Sequence, residues 1–185
     1  MMSSPRTVPT SSRERVAKFL AERGLDGGVV ETEHSTKTAA EAAAIAGCEL
    51  GQIVKSLLLV VGDKPVLALV AGDRRADLAA VARETTGPSG TAGAGETPAS
   101  ETADGGAPSV KAAMAPAELV REVTGYAIGG VCPFDLPDSL PVLVDTSLRR
   151  FEVVYPAAGT PRGFARLSLE QLTDIVGHRW AEISH

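Results

Sequence analysis

Ile53-Val54-Lys55-Ser56-Leu57-Leu58-Leu59-Val60-Val61, then Gly62-Asp63-Lys64, then Pro65-Val66-Leu67-Ala68-Leu69-Val70-Ala71, is the stretch on which the reading of the fold turns. Each apolar run is rich in Val, Ile and Leu and too short for a typical helix, which fits strands covered on both faces. A turn of Gly-Asp-Lys between them predicts an antiparallel hairpin. Helical patterns precede and follow this pair without a strict βαβ repeat. The reading is an α/β protein: a single compact domain with a mixed, mostly antiparallel, barrel-like sheet flanked by helices.

Around the hairpin, helix starts are marked by capping boxes: Ser11 with Glu14, Thr38 with Glu41, and Ser168 with Gln171. Gly24, Gly47, Gly125 and Gly177 are natural stops. Asp73 to about Thr86 reads as a helix with Leu78 and Val81 inward. Pro116 is expected at the first position of a helix. Short strands are expected at Val29–Glu33, Val110–Met114, Pro141–Asp145, Phe151–Ala157 and Ala165–Leu167. Gly87 to Ser109 holds no aliphatic or aromatic residue apart from alanine, so it cannot bury enough surface to offset its ordering entropy. It reads as a disordered insertion at about 87–109, inside one domain spanning 13–182 that follows a flexible N-terminus, 1–12.

The 185 residues suffice for one well-buried core, and hydrophobic content of 44% is normal for a globular protein. No apolar stretch approaches the roughly 20 residues that span a bilayer. Met1–Ser12 lacks a signal-peptide core, so no membrane association and a cytoplasmic location are expected. A net charge of −5 argues against a broad nucleic-acid footprint, although Arg149, Arg150, Arg162 and Arg166 offer local basic groups, or simply a solvated surface. Cys48 and Cys132 have no metal-type spacing, and the three histidines are scattered, so neither a metal nor a cofactor is expected. Gly-x-Gly-x-x-Gly after a strand and Gly-Lys-Ser/Thr are both absent.

Two features carry chemistry. By the two-residue period Lys55 shares a strand face with Ile53, Leu57 and Leu59, and an ammonium there must reach solvent, a carboxylate or a ligand. Gly129-Gly130-Val131-Cys132-Pro133-Phe134 brings bare backbone close to something. Its amides either serve a tight turn or bind an oxygen developing negative charge.

Glu33-His34-Ser35, Gln52 to Leu58, Thr124-Gly125-Tyr126, Gly129 to Phe134 and Pro141 to Asp145, in that order, resemble the YbaK family of aminoacyl-tRNA deacylases. These are free-standing relatives of the prolyl-tRNA synthetase editing domain. The resemblance runs from about Glu31 to about Trp180. It implies a trans-editing hydrolase that cleaves the ester of mischarged aminoacyl-tRNA, of the Cys- or Ala-tRNA(Pro) type. The implied partners are the aminoacylated tRNA acceptor end and prolyl-tRNA synthetase. It further implies that Lys55 positions the acylated end while Gly129 and Gly130 supply backbone donors. His34, Val131, Cys132 and Pro133 then border the substrate, Tyr126 and Phe134 wall the pocket, and Asp145 holds the substrate amino group or pairs with Lys55. From the residues alone, His34 is equally a structural histidine at a strand end and Asp145 a turn aspartate before Thr146-Ser147. A substrate ribose hydroxyl would take the place of a strong protein base, in keeping with the absence of an obvious Ser-His-Asp set. Cys132 stands where the family more commonly has serine. Two other functions fit the same residues: a binding module that holds aminoacyl-tRNA or an amino-acid-like ligand without hydrolysing it, and a thiol hydrolase using Cys132 with His34 as its base.

Overall fold

The computed structural model describes residues 11–25, 28–33, 35–87, 110–177 and 179–185. His34, the 1–10 part of the N-terminus and nearly all of the expected 87–109 insertion lie outside the described residues. At the centre are β2 (Ile53–Val61) and β3 (Lys64–Ala71), an antiparallel hairpin in register from Val61↔Lys64 to Val54↔Ala71. Gly62 begins the intervening turn at φ 66°. The hairpin is central because its residues alternate between two apolar layers. Leu67, Leu69 and Ala71 join one cluster, Val66, Ala68 and Val70 the other, and all six are fully buried.

The seven-stranded sheet extends from both sides of the hairpin. β5 (Val142–Asp145) lies parallel to β3, and β9 (Trp180–Ala181) parallel to β5. On the other side, β6 (Val153–Pro156) runs parallel to β2 at Ile53 and Val54, and β8 (Leu167–Ser168) antiparallel to β6. β4 (Ala112–Met114) pairs antiparallel with β2 at Leu59 to Val61. β1 (Val29–Glu31) and β7 (Gly163–Ala165) form a separate antiparallel pair. Antiparallel pairings outnumber parallel ones, as expected. The strand path runs from β8 to β9, and among the described residues it does not close into a barrel.

Helices cover both faces. α1 (Ser12–Ala21), α4 (Ala117–Thr124) and α5 (Leu169–Val176) bring Val16, Leu20, Val120 and Leu172 onto the layer of Val54, Leu58 and Leu69. α3 (Leu78–Thr86) brings Ala80 and Val81 onto Leu59, Val66 and Leu143. Each fully buried aliphatic side chain stabilises the fold by roughly 1.5–3 kcal/mol. α2 (Ala39–Ala46) sits against the start of β2 through Ala42, Ala43 and Ile53. All three predicted capping boxes form, and Gly47 and Gly125 end their helices in the left-handed region.

The differences from the sequence reading are local. α3 starts at Leu78 with Asp77 as its cap, because the C-terminal residues pair with the segment before it: Arg75 and His185 exchange backbone hydrogen bonds, and the Asp77 amide donates to the Ile183 carbonyl at 2.7 Å. Pro116 is the cap of α4, one position before its first helical residue. The expected strand at 165–167 is two strands, separated at Arg166, whose amide donates to Gly28. No helix among the described residues is long and apolar enough to cross a membrane.

Candidate functional site

The outer edge of β2 changes partner along its length. β6 covers Ile53 and Val54, β4 covers Leu59 to Val61, and Ala115 closes on the Leu58 carbonyl at 3.0 Å. Lys55, Ser56 and Leu57 stand in the gap where the two neighbours part. A cleft of about 330 Å³ opens there, at the small end of ligand sites, which run on the order of 300–1,000 Å³. Ile53 to Leu58 form one wall, and Thr36 to Ala39 at the start of α2 another. Ala115, Val120, Ile128, Gly129, Val131, Tyr155, Thr160 and Phe164 complete the lining. Met114 and Ile128 are lining residues that remain largely exposed, and they make an apolar rim.

Lys55 is half-buried, and its ammonium donates to the carbonyl oxygen of Arg74. Burial lowers its pKa below the ordinary lysine value; the Asp73 carboxylate opposes this and the Arg75 charge adds to it. Asp73 is itself gripped by both terminal nitrogens of Arg150, at 2.8 and 2.9 Å, which holds its carboxyl below the usual range. Lys55 thus lines the cleft as a partly desolvated residue whose ammonium is tied to the Arg74 carbonyl and whose neighbouring carboxylate, Asp73, is already engaged. Next to it, Ser56 lines the same cleft with a buried hydroxyl oxygen that has no hydrogen-bond partner among the described residues. Ser56 was not singled out from the sequence. Its signal was there: a hydroxyl beside a cation in an otherwise apolar strand.

The glycine loop divides between cleft and core. Gly129, at φ 90°, and Val131 line the cleft, as Lys55 does. The Gly130 amide donates to the Ala127 carbonyl at 2.9 Å and so closes the turn, where the resemblance had made it a substrate donor. A Cβ on Gly130 would lie 2.8 Å from the Gly159 carbonyl oxygen, so glycine is needed there for close packing. Tyr126, Cys132, Pro133 and Phe134 are buried and are not among the cleft's lining residues, where the resemblance had them wall it or border substrate. The Tyr126 hydroxyl donates to the Phe134 carbonyl at 2.7 Å, and the Phe134 ring packs on Phe19 of α1. Arg15 lies over the Tyr126 ring and pairs with Asp135 at 2.9 Å, tying the loop to α1.

Burial pushes the Cys132 thiol up to about 11, although contacts with the Phe134 backbone and Tyr126 favour the thiolate. A fully buried thiol held in its neutral form is not a poised nucleophile. Asp145 is also buried and does not line the cleft. Its carboxylate accepts from the Ser147 hydroxyl and amide, the Ile183 amide at 3.0 Å and the Ser184 hydroxyl at 2.7 Å. It serves the C-terminal segment, where a contact with Lys55 or a substrate amine had been expected. The late arginines are partly committed as well: Arg149 lies over Trp180, and Arg150 over Phe151 and onto Asp73.

The α/β fold, with helices on both faces of a mixed sheet, is also seen in solved structures. One, at 35% identity and TM-score 0.75, covers 100% of this chain and 99% of its own, and is described as a proposed trans-editing enzyme for prolyl tRNA synthetase. Another, the hypothetical protein APE2540, has 26% identity and TM-score 0.73 over 93% of this chain and 100% of its own. The uncharacterized protein YwhH of Bacillus subtilis (strain 168) is 33% identical over 165 residues, 89% of this chain and 90% of that protein. The aminoacyl-tRNA editing domain matches residues 33–96 and 105–175, and the chain belongs to this family.

Proposed function

We propose that this protein is a trans-editing deacylase that hydrolyses the ester between a wrong amino acid and the terminal ribose of a tRNA. The observation that carries this reading is that Lys55 and Gly129 both line one small cleft. Ester hydrolysis needs a positioned water and a group that stabilises the carbonyl oxygen as it gains charge. A cation in a partly dry cleft supplies the second far better than one in water. Water adds to the carbonyl carbon, and the ribose oxygen leaves with a proton as free amino acid and uncharged tRNA are released. The vicinal ribose hydroxyl orients the water, since Cys132 and Asp145 are turned into the core. The mostly apolar lining suits a small acyl side chain, and the relative described as a proposed trans-editing enzyme for prolyl tRNA synthetase makes Cys- or Ala-tRNA(Pro) the leading substrates. Work beside prolyl-tRNA synthetase in the cytoplasm follows from such a role. Discrimination by a synthetase pocket between near-isosteric amino acids is limited to about 1–3 kcal/mol per methylene, which leaves room for a second check.

The test is incubation of purified protein with a panel of mischarged tRNAs and measurement of free amino acid released above the spontaneous rate. Release from at least one small-side-chain proline tRNA is the expected result. Tight binding without release from any of them would overturn hydrolysis in favour of a binding module.

A further inference from the structure

The last residues of the chain form a strap that reaches Lys55 through a loop. β9 lies parallel to β5, with Val144 opposite Trp180 and Asp145 opposite Ala181. Beyond it, Ile183 and Ser184 are fastened to the buried Asp145 carboxylate by the Ile183 amide and the Ser184 hydroxyl. The same strap pairs with the segment before α3: the Arg75 amide donates to the His185 carbonyl at 2.9 Å, the His185 amide returns to Arg75 at 3.0 Å, and Ser184 bridges Ala76. That segment carries the Arg74 carbonyl, which accepts from the Lys55 ammonium. The loop's other end is held by the Asp73–Arg150 pair.

We propose that the C-terminal strap is a positioning element for Lys55: Asp145 and Ser184 hold Ile183 to His185 in place, these hold Arg75 to Asp77, and the Arg74 carbonyl then fixes the ammonium of this cleft-lining residue. The catalytic consequence rests on the deacylase reading above; the mechanical one does not. A buried carboxylate with hydrogen bonds from Ser147, Ile183 and Ser184 is a rigid anchor, since loosening it would leave a desolvated charge without partners. The side chain of a lysine has several rotatable bonds, so its reach is set by what its tip touches. Asp145 is thereby a positioning residue, although it does not line the cleft.

Ser184→Ala in the full chain removes one strap bond and leaves the carboxylate its other partners. Ser184→Thr keeps the hydroxyl and is the control, and Asp145→Asn is a second, stronger lesion. Two readouts need no substrate: amide hydrogen exchange at Arg75 and Asp77, and NMR titration of the Lys55 amine, whose charged neighbours are Asp73 and Arg75. Ser184→Ala is expected to speed exchange at both amides by about tenfold, and to move the Lys55 titration up towards ordinary lysine as water reaches the ammonium. It should lower kcat by about fivefold with KM for mischarged tRNA unchanged, and Ser184→Thr should restore wild-type values. Faster exchange with an unmoved Lys55 titration, or a lower kcat with unchanged exchange, would overturn the proposal. If the wild-type protein deacylates nothing, the functional reading fails, while exchange and titration still decide whether the strap holds Lys55.

Discussion

The two walls of the cleft are built on opposite principles. On the β2 wall, chemistry-bearing residues lie within a rigid strand: Lys55 and Ser56 line the cleft, the Lys55 ammonium tied to the Arg74 carbonyl and the Ser56 hydroxyl buried, and the apolar residues around them lock the backbone. On the loop wall, the conspicuous residues turn inward. Tyr126, Cys132 and Phe134 are fully buried with their polar atoms bonded inside the protein, and it is the plain Ile128, Gly129 and Val131 that meet the cleft. The comparison teaches that a distinctive motif can mark either a site or the scaffold that shapes it. Substitutions on the loop wall should therefore change stability, and substitutions on the β2 wall should change chemistry.

Phe134→Ala is the harshest test of this division. Removing a fully buried ring that packs on Phe19 should cost about 3–5 kcal/mol in denaturant unfolding. A cost under 1 kcal/mol would show that the loop is not anchored as described. Tyr126→Phe should cost about 1–2 kcal/mol, because the Phe134 carbonyl loses its buried donor. Deacylation per folded molecule should survive that change; its loss would give Tyr126 a chemical role after all.

Alkaline unfolding sharpens the same contrast. The Cys132 thiol is pushed from 9.0 to about 11 in the folded protein, so the folded state keeps a proton that the unfolded chain gives up first. Its contribution is complete below pH 9 and is lost as pH rises from 9 to about 11, with Tyr126, also raised, adding loss of the same sign above pH 10. Cys132→Ala should flatten the decline between pH 9 and 11 in urea melts at stepped pH. An unchanged slope would mean that the thiol is not held neutral. On the other wall, Ser56→Ala should alter stability by less than about 1 kcal/mol, since it removes a hydroxyl with no protein partner. It should still slow deacylation severalfold; an unaltered rate would make Ser56 a bystander in the cleft.

The pattern of these contacts explains what could be read in advance. β2 and β3 were legible because a run of Val, Leu and Ile leaves a strand few alternatives, and the capping boxes because their partners lie only three residues apart. Lys55 was legible because a charge inside such a run demands a partner. The inward and outward residues of 126–134 were not, since a Gly- and Pro-bearing loop has no periodicity to assign faces. The hold of Asp145 on the C-terminal segment was not legible for a different reason: its partners Ile183 and Ser184 lie far along the chain, in a segment whose strand, Trp180–Ala181, is too short to leave a pattern.

Single-turnover deacylation by Lys55→Ala beside the wild-type protein, on a tRNA that the wild type discharges, bears most directly on the site. Loss of the ammonium should slow amino-acid release by at least about 100-fold, with unfolding free energy held within about 1 kcal/mol because no buried ion pair is broken. Release at the wild-type rate by the folded variant would contradict the assignment of Lys55 as the group that holds the ester.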